Sequence, residues 1–162
     1  MPNLNVARHS ATGITIGDSL YVFGGVGGAT FIERLNLKLN MQRSSQDRFE
    51  VIEAKLPLAA SDIGLLPCLS PTEILLVGGF SAENKSVSNL AKFSAKTVAG
   101  SGSQDHCDHM VEELDAGDLK ADFFSTNSVV TADTAEGEAV IICGAQYKHT
   151  FNGTKFIKSQ AL

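Results

Sequence analysis

The chain has 162 residues, of which 43% are hydrophobic, 7% aromatic and 19% charged. Its formal net charge of -5 argues against a surface that attracts nucleic acid or an anionic membrane. No apolar run approaches the ~20 residues of a membrane-spanning helix, and the first residues lack the basic start and apolar core of a secretory signal peptide.

Short apolar runs separated by turn residues begin the chain, a pattern typical of antiparallel strands. A strand is predicted over 7–16, followed by a turn at Gly17-Asp18-Ser19. The next predicted strand, 20–23, stops on the pair Gly24-Gly25, and two further strands are predicted over 31–37 and 48–53.

The same order of elements recurs twice. In the second copy, strands are predicted over 62–69, 73–77, 89–93 and 109–114. Its second strand stops on Gly78-Gly79, 54 residues after the first pair (79 minus 25). A weaker third copy has strands predicted over 123–131, 138–143, 148–152 and 155–158, with Gly144-Ala145 where the other copies have two glycines. A period of this size predicts a repeat architecture.

These repeats resemble the kelch repeat, a four-stranded blade of a β-propeller. The resemblance rests on Arg8-His9-Ser10-Ala11, on Leu20-Tyr21-Val22-Phe23-Gly24-Gly25, on Ile32-Glu33-Arg34-Leu35 and on Leu75-Leu76-Val77-Gly78-Gly79. It implies an all-β fold of three antiparallel blades, at about 8–56, 61–115 and 122–159, which together form an incomplete or open propeller. The repeat glycines Gly24, Gly25, Gly78, Gly79 and Gly144 suit strand ends where the backbone turns and packs closely.

In such blades, the loop before the first strand and the loop after the second strand lie at the same end. The residues predicted to bind a partner there are Arg8, His9, Phe80, Ser81, Tyr147 and Lys148.

Several of these residues also have a structural interpretation. His9 is either a binding residue or, as we favour, a blade-edge residue that hydrogen-bonds the backbone. Arg8 either binds an acidic peptide through two parallel contacts or pairs with Asp62 or Glu33 in the scaffold. Phe80 and Tyr147 are either exposed or buried between blades.

A cluster of metal-ligand residue types occurs at Asp105-His106-Cys107-Asp108-His109. In an extended segment, Cys107 and His109 would share a face and His106 would not. No second cluster completes a ligand set, so we interpret the run as part of a solvated loop over 94–108. We predict no metal, no cofactor and no catalytic residue there, because nothing orients Cys107 for nucleophilic attack.

A repeat fold of this kind favours a protein-interaction module over an enzyme. The expected partner is a peptide or protein, with self-association that completes a propeller as a further expectation, and neither nucleic acid nor membrane is expected. The alternatives are a structural spacer within a larger protein and a propeller enzyme domain whose active site lies outside this segment. Cys68 and Cys143 fall within apolar strands and Cys107 makes the count odd, which favours a reducing, cytoplasmic compartment.

Overall fold

A computed structural model describes residues 3–27, 30–37, 48–67, 70–83, 85, 87, 90–98, 106–115, 129–134, 137–142, 147–151 and 156–161. All of its bounded elements are β-strands, which confirms the predicted all-β class. The strands are β1 Thr12–Ile16, β2 Ser19–Phe23, β3 Phe31–Asn36, β4 Glu50–Lys55, β5 Gly64–Pro67, β6 Glu73–Val77, β7 Leu90–Val98, β8 His106–Glu113, β9 Val129–Thr134, β10 Gly137–Ile142, β11 Tyr147–Phe151 and β12 Phe156–Ala161.

The strands form three antiparallel sheets, each made of four strands that are consecutive in sequence. We call them the first (β1 to β4), second (β5 to β8) and third (β9 to β12) sheets. The sheets lie one behind another, since β1 contacts β5, β5 contacts β9, and β4 contacts β8. No helix in the described part of the chain is long and apolar enough to cross a membrane.

Burial along the strands reflects this stacking. In β2, buried residues alternate with half-buried ones, so one face of the strand is covered more fully than the other. In β6, all four residues from Ile74 to Val77 are buried. Since side chains alternate between the faces of a strand, a continuous buried run requires cover on both faces. The second sheet has that cover because it lies between the other two.

An apolar core fills the space between the first and second sheets. Its centre is aromatic: the ring of Phe93 on β7 lies 5.1 Å from the rings of both Tyr21 and Phe23 on β2, edge to face. Ile74 and Leu76 belong to this core, whereas their buried neighbours Leu75 and Val77 do not. The alternation therefore directs Ile74 and Leu76 toward the first sheet.

The first two sheets repeat each other in their backbone hydrogen bonds. Leu37 N–H donates to the carbonyl of Asp18 at 2.7 Å, and Ala95 N–H donates to that of Thr72 at 2.9 Å. Isolated antiparallel bridges join His9 to Val26 and Ser61 to Phe80. Each bridge ties the approach to a sheet's first strand to the residue that follows a glycine pair.

A cross-strand ion pair repeats as well. Arg34 on β3 lies opposite Glu50 on β4, with 3.0 Å between Nη1 and Oε1. Lys92 on β7 lies opposite Glu112 on β8, with 2.8 Å between Nζ and Oε2. The two units thus share charge placement as well as strand order.

The glycine pairs have backbone conformations that favour glycine. Gly24, Gly25, Gly78 and Gly79 have φ values of 58°, 93°, 62° and 113°. A Cβ on Gly24 would lie 2.2 Å from the carbonyl oxygen of Ala60, which belongs to the segment entering the second sheet. Gly25 N–H donates to that same carbonyl at 2.9 Å. The first glycine pair is therefore a point of close backbone approach between the first and second units.

A buried ion pair anchors the segment before β1. The Arg8 guanidinium contacts the Glu33 carboxylate on β3, and both side chains are fully buried. Arg8 Nη1 also donates to the carbonyls of Gly24 and Phe31, at 3.0 Å each. The same carboxylate accepts from the backbone N–H of Asn5 at 2.7 Å. This network holds residues 5–8 against the first sheet.

Several predicted boundaries were wrong: β1 begins at Thr12 and not at residue 7, and β12 extends to Ala161, past the predicted end at 158. Within the segment 94–108, predicted as a loop, residues 94–98 and 106–108 are strand, because β7 continues to Val98 and β8 begins at His106, while residues 99–105 lie outside the described residues. The long register from Ala91↔Glu113 to Val98↔His106 explains this, since each added cross-strand pair satisfies backbone groups that a loop would leave to water. The end of β9 also differs, because β9 extends to Thr134, beyond the predicted strand end at 131. Residues 123–128 of that predicted strand lie outside the described residues.

Replacing Glu33 by Gln should strongly destabilise the fold. The Arg8 guanidinium would stay buried without its counter-charge, and breaking a buried pair on one side typically costs about 3–5 kcal/mol. Glu50→Gln is the matched control, because Glu50 pairs with Arg34 at 60% exposure and exposed pairs are worth about 0–1 kcal/mol. Urea unfolding of both variants measures the difference, and equal losses would contradict the role given to the Arg8–Glu33 pair.

Gly24→Ala and Gly17→Ala together separate backbone strain from crowding. The two glycines have nearly equal φ values, 58° and 56°, but a Cβ on Gly17 would meet no atom within 4 Å. Gly17→Ala should therefore show only the left-handed backbone cost of about 1–2 kcal/mol. Gly24→Ala should lose about 1–3 kcal/mol more, since Ala60 must move. Thermal and urea unfolding give both values, and indistinguishable variants would show that the sheets do not need this close approach.

Candidate functional site

The residues predicted to bind a partner lie at one end of the sheets. We call it the glycine end: it comprises the segments before β1 and β5 and those after β2 and β6, all of which are next to the glycine pairs. The opposite end, which carries the Gly17-Asp18 turn between β1 and β2, is the turn end. Because neighbouring strands are antiparallel, the segment before a first strand and the segment after a second strand lie at the same end of their sheet.

His9 is exposed at the glycine end. Its backbone is fixed by the bridge to Val26, with N–H···O distances of 3.2 and 2.9 Å. Its ring Nδ1 lies 3.4 Å from the Ser10 hydroxyl oxygen. His9 thus fits both interpretations: its backbone is held in the scaffold, and its ring faces solvent.

Phe80 and Ser81 follow the second glycine pair and are half-buried. The Phe80 backbone exchanges two hydrogen bonds with Ser61, both of 2.9 Å. Ser81 N–H donates to the Lys85 carbonyl at 2.9 Å, which closes a short turn. The Phe80 backbone is therefore held in place, and the residue is partly exposed.

Arg8 does not contribute to this surface. Its side chain is fully buried and pairs with Glu33, one of the two scaffold partners considered for it. Burial of the guanidinium and its bonds to two backbone carbonyls leave it no access to an acidic peptide.

The third-unit candidates are placed only by their backbone. Tyr147 and Lys148 are the first residues of β11: Tyr147 pairs with Ala161 of β12, and Lys148 lies at the register shift that follows. Gly144 lies outside the described residues.

Two exposed apolar residues of the glycine end were not among the predicted site residues. Val26 is 48% exposed and follows the first glycine pair, as Phe80 follows the second. Leu58, at 44% exposure, lies in the segment between β4 and β5. The repeat offered a signal for Val26, since it occupies the same position as Phe80. No sequence signal distinguished Leu58 from a buried leucine.

Residues 106–109 of the cluster predicted as a solvated loop lie instead in β8, where Cys107 and His109 are half-buried. Cys107 and His109 share a face, as the alternation of an extended segment predicts, and both contact the buried Tyr21 of the first sheet. The Tyr21 hydroxyl lies 3.1 Å from His109 Nε2 and 3.8 Å from the Cys107 thiol. The His109 ring also stacks on Phe93, with 6.1 Å between ring centres.

A cleft of about 180 Å³ lies at the turn end between the first two sheets, lined in part by Ser19, Tyr21, Arg34, Thr72 and Cys107. Its polar groups already bind one another: Arg34 Nε donates to Ser19 at 2.9 Å, and Thr72 bonds Ser70 at 3.0 Å. Because the Tyr21 hydroxyl contacts both the thiol and the imidazole, the cleft resembles a satisfied polar network between sheets. Within the described residues, no group of three or more metal-ligand side chains could hold an ion.

No protein-family model matches the chain, and a comparison with curated proteins found no match.

Burial raises the pKa of Tyr21 well above its ordinary value of 10.0, and its hydrogen bond with Cys107 adds to the shift. The neutral phenol is thus favoured in the folded state, so its stabilising contribution is complete below pH 10 and is lost as the pH rises above it. In Tyr147→Phe, Tyr21 is the only remaining tyrosine. We expect its ultraviolet tyrosinate signal to develop above pH 10, together with loss of the folded circular dichroism.

The double variant Tyr21→Phe/Tyr147→Phe has no phenol and supplies the baseline for that titration. Its free energy of unfolding should fall less steeply above pH 10 than that of Tyr147→Phe. Ionisation of Tyr21 near pH 10 in a still-folded protein would contradict the burial argument.

Proposed function

We propose that the chain is a kelch-like β-propeller segment that acts as a protein-interaction module, with the glycine end as the surface that binds a peptide or protein segment. The observation that carries this proposal is the repeated placement of Val26 and Phe80. Both residues directly follow a glycine pair, both are tied by a backbone bridge, and both reach the surface at the same end of adjacent sheets.

The stacking of the sheets supports the propeller part of the proposal. First strand lies against first strand (β1 with β5, β5 with β9), and fourth strand against fourth strand (β4 with β8). This is the order expected of blades arranged around an axis. The repeated glycine conformations and cross-strand ion pairs agree with it.

The surface of the glycine end supports the binding part. Val26 and Leu58 expose apolar side chains, and the exposed His9 imidazole lies beside Val26 across the bridge. Their segments are joined through the hydrogen bond between Gly25 and Ala60. Aromatic and aliphatic side chains on a rigid scaffold, with polar groups nearby, are what a peptide-binding surface requires. We place this function in the cytoplasm, where a free thiol such as that of Cys107 persists.

Selection from a library of displayed peptides tests the binding surface. The immobilised wild-type chain should select peptides with related sequences, and a synthetic copy of one of them then serves as the probe. Val26→Asp and Leu58→Asp should each weaken its affinity at least tenfold, because a charge is placed in an apolar contact.

Val51→Asp and Met110→Asp are the matched controls. Val51 and Met110 are exposed to a similar extent, 43% and 52%, but lie on the fourth strands β4 and β8 rather than at the glycine end. These controls should keep the affinity within a factor of two. Failure to select any related peptides, or equal losses in all four variants, would overturn the proposed surface.

A further inference from the structure

The two faces of the first sheet differ in cover. Strand alternation places Tyr21 and Phe23 toward the second sheet, so Leu20 and Val22 point to the opposite face. In the register of β2 with β3, Leu20 lies opposite Leu35 and Val22 opposite Glu33. We call this set, Leu20, Val22, Glu33 and Leu35, the outer face of the first sheet.

The corresponding positions of the second sheet are covered by the first sheet. Val22 stands two residues before its glycine pair, as Leu76 does, and Leu20 corresponds in the same way to Ile74. Leu76 and Ile74 lie opposite Ala91 and Phe93 and pack on the first sheet with exposures of 0% and 3%. Leu20 and Val22 are only half-buried, whereas Glu33 and Leu35 on the same face are already buried within the chain, at 0% and 6% exposure. The outer face is therefore the counterpart of an interface that the chain already makes once.

Backbone groups beside the outer face fit the same interpretation. Where the first two units meet, Gly25 N–H donates to Ala60 C=O, and Asp62 N–H donates to Ser10 C=O. In the first unit, Arg8 C=O has the position that Ala60 C=O has in the second unit, and Ser10 N–H has the position of Asp62 N–H. Within the described part of the chain, these two groups form no hydrogen bond. Ser10 and Asp62 also share a left-handed backbone, with φ values of 54° and 50°. A preceding unit would supply both missing partners.

The third sheet occupies the matching position in the stack. The third sheet follows the second as the second follows the first, because β9 contacts β5 as β5 contacts β1. The far side of the third sheet is thus the next place in the same stack. Six such units lie within the range of about four to eight blades that close a propeller.

We propose that the outer face of the first sheet docks the third sheet of a second copy of this chain, so that two copies close a ring of six units. The contact is head to tail and closes by two-fold rotation, which symmetry permits. Ser10 N–H and Arg8 C=O then bond the neighbouring copy as Asp62 and Ala60 bond the first unit. This inference rests on the stacking of the sheets and not on partner binding at the glycine end.

Light scattering and sedimentation of the purified chain test the proposal. The wild-type mass should be twice the 17.1 kDa of one chain. Val22→Asp should halve that mass, because it places a charge on the outer face, while Val26→Asp, at the glycine end, should leave it doubled. Circular dichroism and a cooperative melt check that both variants fold.

Amide hydrogen exchange provides a second readout that needs no substitution. The Ser10 amide should exchange slowly at concentrations where the chain is paired and quickly on dilution, whereas the Asp62 amide should stay protected at both. A monomeric wild type with a cooperative melt would overturn the proposal. So would a folded Val22→Asp variant that keeps the doubled mass, a Ser10 amide whose exchange ignores concentration, or open-ended polymers in place of closed pairs.

Discussion

The close approach of the Ala60 carbonyl to Gly24 and Gly25 is the contact on which the arrangement of the first two sheets depends. It requires a missing Cβ and a positive φ at the end of β2, both of which glycine provides. The hydrogen bond from Gly25 then fixes the segment entering the second sheet.

Buried polar groups set the second constraint. The first sheet buries a whole ion pair, Arg8 with Glu33, and satisfies it with backbone groups from three segments. The interface with the second sheet buries the Tyr21 hydroxyl among Cys107 and His109. Burying such groups is costly unless each one has partners, so both sites specify a single way of packing. The chemistry of these residues serves the scaffold.

Sequence reasoning recovered the strands whose signals are local. Gly17-Asp18 between two apolar runs marks a hairpin, and the Gly-Gly pairs mark the ends of β2 and β6. It failed over 94–108. The serines, glycines and charged residues there predicted a loop, although cross-strand pairing extends β7 and β8 into this segment. It also left Arg8 with two roles, because choosing between a ligand and Glu33 requires knowing which side chains the fold buries.

The sequence by itself determined the all-β class, the four-strand units and the positions of their glycines, since hydrophobic alternation and turn residues act over a few neighbours. Tertiary structure alone decided that Arg8 is buried, that Tyr21 bonds His109 of another sheet, and that Val26 and Leu58 are exposed. Each of these outcomes depends on which face of one sheet packs against which face of the next sheet. Residues far apart in the chain determine that packing, and a local sequence pattern carries no information about it.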